Sequence, residues 1–185
     1  MLAGLREHLE LFGRLDSLAP GVHAAADMMA EALNAGNKLM FCGNGGSAAD
    51  SQHLAAEFTG RFVADRRPLA ALALSTDTSA LTCIANDYSF ADVFYRQVLS
   101  LGKPGDCLIA ISTSGNSANV LRAVEAARSV KARVIGLLGR DGGKLRQECD
   151  LAIIVPSSTT ARIQEAHIFI GHTWCGLVER ALRLA

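Results

Sequence analysis

Phe41-Cys42-Gly43-Asn44-Gly45-Gly46-Ser47-Ala48-Ala49-Asp50-Ser51-Gln52-His53-Leu54-Ala55-Ala56-Glu57 is the stretch on which the fold turns. The apolar run from Lys38 to Cys42 reads as a buried strand, and three glycines in four positions then turn the chain. Ser47 is placed to cap a helix, with Asp50 three residues on in a near capping-box pattern. A helix starting there aims unpaired N–H groups and the positive end of its dipole back at the glycine loop, where an anion can sit. His53 and Glu57 follow at i,i+4 on one face, about 6 Å apart along the axis. One strand–loop–helix unit thus carries a candidate phosphate cradle and a His/Glu pair.

Outward from this unit the same alternation repeats. Leu69–Leu74, Cys107–Ile111, Val134–Leu138 and Leu151–Val155 are short apolar runs bounded by Gly, Pro, Asp or Ser, as strands buried on both faces require. Helical spacing separates them at Ser79–Ala85, Asp92–Leu101, Asn116–Val130 and Gly143–Glu148. A long helix, roughly Ala161 to Leu184, closes the chain with apolar residues nearly all round it. The pattern predicts a doubly wound, flavodoxin-like α/β fold: a three-layer sandwich around a five-stranded parallel sheet. Such sheets bind ligands beyond the carboxyl ends of their strands. Two helices, 4–18 and 22–35, precede the first strand and are separated by Pro20-Gly21. They cover one sheet face or pack against a second subunit.

The 185 residues suit one domain with a full core. Half are hydrophobic and 19% are charged, a richness that predicts apolar surface buried between subunits. Eighteen basic and 18 acidic residues cancel, with no block of like charge, so nothing electrostatic points to nucleic acid. Cys42, Cys83, Cys107, Cys149 and Cys175 are scattered and odd in number, and several fall in apolar runs, which reads as buried, reduced thiols in a cytoplasmic protein. No membrane span or signal peptide is expected.

Chemistry concentrates after the strand ends. Gly43-x-Gly45-x-x-Ala48 fits the loose dinucleotide fingerprint, but the acidic residue expected about 20 positions on is missing, since Asp77 comes too late. No Gly-Lys-Ser/Thr follows, which excludes a P-loop. Ser112-Thr113-Ser114-Gly115-Asn116-Ser117 follows a central strand with four hydroxyls and a helix start, a set of donors suited to a phosphate monoester. Asn86-Asp87 falls in a break between helical patterns, where a turn or cap is the plain alternative to a ligand role. The last helix adds Gln164, Glu165, His167 and His172. Gln164 and His172 are eight residues apart, about 12 Å along an ideal helix, so both reach one ligand only through long side chains, a bend, or two subunits.

Together these motifs resemble the sugar isomerase (SIS) domain family and, within it, the phosphoheptose isomerases, over nearly the whole chain. The matching residues are Cys42 to Ser47, His53-x-x-x-Glu57 with Thr59-Gly60-Arg61, Asn86-Asp87, Ile111 to Val120, Asp141 to Lys144, and Arg162-Ile163-Gln164-Glu165-x-His167 with His172. The region before Asn37 is short for the family. The resemblance implies one SIS domain over 1–185, with the helices of 1–36 contributing oligomer contacts. It implies a cytoplasmic homotetramer with active sites between subunits, acting on a sugar-phosphate substrate with no nucleic acid or membrane partner. The implied reaction converts sedoheptulose 7-phosphate to D-glycero-D-manno-heptose 7-phosphate, the first step toward the heptose of surface polysaccharide. Carried over by position, Glu57 and His172 are the acid/base pair. Asn44, Gly45, Gly46, Ser47, Glu57, Asn86, Asp87, Ser112, Thr113, Ser114, Ser117 and Gln164 bind substrate. His53, Glu57, Gln164 and His172 match the ligands of one Zn²⁺ per site in zinc-containing relatives. The contrasting reading is a non-catalytic SIS regulator of replication initiation. Relatives of that kind lose the acid/base positions that this chain keeps.

Overall fold

The computed structural model describes residues 1–184. Five strands, β1 (Leu39–Cys42), β2 (Ala71–Ala73), β3 (Cys107–Ser112), β4 (Arg133–Gly139) and β5 (Leu151–Val155), form one sheet in the order β2-β1-β3-β4-β5. Every pairing is parallel. This is the doubly wound order expected from the sequence, and its winding reverses between β1 and β3. Leu39 pairs with Cys107 and Cys42 with Ala110, so the chain leaves β1 beside β3 at that reversal.

Successive residues of a strand point to opposite faces, and both faces here are covered. Leu39, Phe41, Cys107, Ile109, Ile135 and Leu137 pack with α2 (Ala19–Asn34), α3 (Gly46–Thr59) and α8 (Thr160–Ala181). Met40, Cys42, Leu108, Ala110, Val134 and Leu138 face α4 (Thr78–Asp87), α5 (Tyr95–Leu101) and α6 (Ala118–Ser129). Trp174 is fully buried, and its indole N–H donates to the carbonyl of Val22 at 3.1 Å, tying α8 to α2. Two short helices, α1 (Leu2–Phe12) and α7 (Leu145–Glu148), complete the set.

Three local expectations change. The first helix stops at Phe12, a 3-10 turn covers Leu15–Leu18, and α2 starts at Ala19. Pro20 lies in the first turn of α2, where a missing N–H costs no helical bond, so Pro20-Gly21 opens the helix instead of ending one. Ser47 does not cap α3. Gly45, at φ +55°, is the N-cap residue, and Ser47 is buried inside the first turn with no side-chain cap bond. Glycine adopts that backbone without a Cβ penalty, so the helix starts earlier than a serine cap would place it. Asn86-Asp87 is the last turn of α4 and not a break.

The C-terminal end of α3 is tied to α8 by a buried ion pair. Arg66 donates from Nη2 to the carbonyl of Glu57 at 2.7 Å and from Nη1 to that of Phe58 at 2.8 Å. Its Nε donates to Glu179 Oε1 at 2.7 Å, and both side chains are 2% exposed. The guanidinium thus occupies carbonyls that lack an intrahelical partner, at the negative end of the helix dipole. All five cysteines are free, but not all are buried as the sequence suggested: Cys83 is exposed on α4 and Cys149 half-buried, while the other three are buried. Burial pushes the thiols of Cys107, Cys149 and Cys175 up to about 12.

Candidate active site

Two loops meet where the sheet reverses. The glycine loop leaves β1, and the loop of 112–117 leaves β3. They approach so closely that a Cβ on Gly43 would stand 2.9 Å from the carbonyl oxygen of Ile111. A reciprocal amide pair locks them: Asn44 Nδ2 donates to Asn119 Oδ1, and Asn119 Nδ2 donates to Asn44 Oδ1, each at 2.8 Å. Asn119 is buried on α6. It lies in a motif noted in the sequence, but only the fold reveals its partner 75 residues away.

The hydroxyl loop is held open from behind. Ser112 Oγ lies 3.1 Å from Ser117 Oγ and accepts from the N–H of Gly115 at 3.1 Å. Gly115 has φ +65°, and a Cβ there would meet the carbonyl oxygen of Gly142 at 1.9 Å. The N–H groups of Lys144 and Leu145 donate to Asn116 Oδ1 and to the carbonyl of Gly115. The Asp141-to-Lys144 motif is therefore the backing of this loop. Thr113 and Ser114 are half-buried, and Ser117 stands at the N-terminus of the 12-residue α6. The arrangement offers hydroxyls and helix N–H groups to an anion.

The His/Glu face of α3 meets α8. His53 Nε2 lies 3.3 Å from Glu57 Oε1 and 3.3 Å from His172 Nε2. One ligand atom from each of the three residues falls within a span of 4.8 Å. A tetrahedral ion with bonds of about 2.0–2.1 Å places its ligands roughly 3.3 Å apart. Two imidazoles and a carboxylate at this spacing fit a divalent metal ion. Phe62 stacks on His172 with ring centroids 5.5 Å apart and planes at 25°, a contact that the sequence alone did not suggest. His53 is 48% exposed and Glu57 22%, so the cluster opens outward.

Other expected residues fall elsewhere. Gln164 packs on the start of α3, where a Cβ on Gly46 would come within 2.2 Å of its Nε2. His172 meets His53. The two side chains are thus separated by about 12 Å of helix, and Gln164 stands with the glycine loop, away from the His53–Glu57–His172 cluster. Asn86 and Asp87 are exposed on α4, across the sheet, joined to each other by a 2.8 Å hydrogen bond. No hydrogen bond among the described residues links them to the cluster. His167 is fully buried with Nε2 3.0 Å from the carbonyl of Leu138, and burial pushes it down to about 4. It is a neutral core imidazole. Burial also raises Asp50, on α3 one turn before His53, to about 6, against the opposing pull of His53.

The family model described as "SIS domain" matches residues 5–139. The phosphoheptose isomerase of Rhodospirillum rubrum is 57% identical over 173 residues, covering 94% of this chain and 92% of that protein. Among solved structures, the phosphoheptose isomerase GmhA of Neisseria gonorrhoeae superposes with a TM-score of 0.92 at 47% identity, covering 97% of this chain and 96% of that one. The phosphoheptose isomerase of Francisella tularensis gives 0.93 at 35% identity, with coverage of 96% and 95%. The likeness runs along nearly the whole length of the chain, in sequence and in backbone, and the chain belongs to the phosphoheptose isomerases of the SIS domain family.

Proposed function

We propose that the chain converts sedoheptulose 7-phosphate to D-glycero-D-manno-heptose 7-phosphate, the first step in making the heptose of surface polysaccharide. The observation that carries this reading is the Glu57/His172 couple, gathered with His53 within 4.8 Å. A ketose becomes an aldose when a proton leaves C1, an enediol forms, a proton enters C2, and a proton moves from O1 to O2. Glu57 is the base that takes and returns the carbon-bound proton, and His172 moves protons at the oxygens or opens the ring. Ser112, Thr113, Ser114 and Ser117 hold the phosphate, while Asn44, Gly45, Gly46 and Ser47 line the sugar chain. Asn86, Asp87 and Gln164 bond its hydroxyls. A regulator of the same fold would have no use for the acid/base couple.

Zinc is the metal we assign to His53, Glu57 and His172, on the strength of their donor types and spacing. When bound, it would polarise the substrate's carbonyl. Glu57 Oε1 is the oxygen that faces His53, which leaves Oε2 for proton transfer. Gln164 joins this set only if it comes from another copy of the chain. The phosphate loops and the cluster lie at opposite ends of α3, and the cluster faces outward. Both features support a site shared between subunits of a homotetramer, with 1–185 one SIS domain and the helices of 1–36 in the contacts. Five free cysteines suit a reducing, cytoplasmic setting. Among the described residues no helix is long and apolar enough to cross a membrane.

The test supplies sedoheptulose 7-phosphate and looks for the heptose 7-phosphate. Turnover supports the reading. Clean protein with no conversion, with or without added zinc, rejects it. Elemental analysis of the purified protein should find zinc near one per chain, and full activity in metal-free protein would leave His53 without a ligand role.

A further inference from the structure

We propose that the buried Arg66–Glu179 pair is a positioning device for the acid/base couple, acting on Glu57 through its main chain and on His172 through Phe62. The inference rests on the isomerase reading for its kinetic test, and on the His53–Glu57–His172 geometry alone for its metal-binding test.

Arg66 gives all three of its guanidinium nitrogens to fixed partners. Nη2 holds the carbonyl of Glu57 itself at 2.7 Å. Nη1 reaches the carbonyls of Phe58, Gly60 and Arg67 at 2.8–3.1 Å. Nε donates to Glu179 at 2.7 Å. The residue that carries the proposed base is thereby held at its own peptide group, in the last turn of α3, where a helix is otherwise free to fray. Glu179 lies seven residues beyond His172, two turns along the same side of α8. The same Glu179 oxygen that pairs with Arg66 accepts the N–H of Phe62 at 3.3 Å. Phe62 in turn stacks on the ring of His172. One buried carboxylate therefore fixes, by two short routes, the peptide of Glu57 and the ring neighbour of His172.

An ion pair that costs several kcal/mol to desolvate is weak support for stability by itself. Its bonds here run to the backbone of a site residue and to the partner of another. A displacement of about 1 Å at reacting groups lowers rates by roughly a hundredfold, so a clamp on both groups matters for turnover more than for substrate capture, since the phosphate loops lie at the other end of α3. Neither Arg66 nor Glu179 touches the substrate in this scheme.

The conservative variants Glu179→Gln and Arg66→Lys, together with Phe62→Leu, which leaves the ion pair intact, are compared with the wild type as full-length zinc-loaded protein. We expect kcat per folded chain to fall roughly tenfold or more while KM for sedoheptulose 7-phosphate stays within about threefold. Phe62→Tyr, which restores a stacking ring, should recover most of the rate that Phe62→Leu loses. Zinc affinity, measured by competition with a chelator and without substrate, should weaken at least about tenfold in Glu179→Gln. Should Glu179→Gln fail to fold, Phe62→Leu and Arg66→Lys decide the matter by the same readouts. Wild-type kcat and zinc affinity in the folded variants overturn the clamp, as does a loss of melting temperature with unchanged kcat per folded chain. If the wild type turns over no sugar phosphate, the isomerase reading falls, and zinc affinity alone then decides for or against the clamp.

Discussion

Glu57 and His172 each present an atom to His53 at 3.3 Å, so replacing either by an amide should impair proton transfer while the fold stays intact. Glu57→Gln and His172→Asn should each lower kcat about a hundredfold or more, with unchanged circular dichroism. Near-normal turnover would take that residue out of the mechanism. His167 gives a second test, of stability. Burial lowers it to about 4, so between about 4 and 6.5 the unfolded chain binds a proton there that the folded chain does not. The stability gained by keeping it neutral is complete above about 6.5 and is lost as pH falls toward 4. Asp50, raised to about 6, has the opposite sign: its contribution is present in acid and lost as pH rises through 6. Comparing His167→Gln with the wild type isolates the histidine. The gap in urea stability between the two at pH 7 should shrink by about 2 kcal/mol at pH 4.5, and a gap independent of pH would contradict that assignment. Single residues were legible in the sequence where a local motif announced them, as with His53 and Glu57 one helical turn apart. Phe62, Asn119, Arg66 and Glu179 were not, because each gains its meaning from a partner that only folding delivers.

At the scale of elements, strands buried on both faces leave uninterrupted apolar runs, so all five strands and their parallel arrangement could be read from sequence. Helix starts were less legible. Proline and glycine mark a change of direction, but whether Pro20 ends one helix or opens the next depends on packing against β5 and α8. The two loops show how much a shared element can depend on missing side chains. In Gly115→Ala the new Cβ would press on the carbonyl oxygen of Gly142 at 1.9 Å, from a residue at φ +65°. Backbone cannot yield there, and a loss of about 3 kcal/mol, with weakened binding of inorganic phosphate, should follow. In Gly46→Ala the Cβ would meet only the tip of Gln164, a flexible side chain that can swing away. That variant should melt within a few degrees of the wild type while its KM rises, because Gln164 is displaced. Equal melting temperatures for the two variants would refute the contrast.

For the whole molecule, the reversal of winding between β1 and β3 brings the glycine loop and the hydroxyl loop together, and the pairing of α3 with α8 assembles the His–Glu–His cluster at a distance from them. How the two loops and the cluster would complete one site was the least legible feature, since no local pattern in the sequence says which side chains meet. The cysteines carry a practical consequence. Four are shielded in part or whole, while Cys83 is exposed on α4 with its sulfur 3.5 Å from Asp87. A maleimide applied to the native protein should therefore add one label per chain, at Cys83, against five in denaturant, as intact mass would show. A fluorophore attached there would sit one helical turn from Asp87, and a change in its emission on addition of sedoheptulose 7-phosphate would test the proposed contact of Asp87 with substrate.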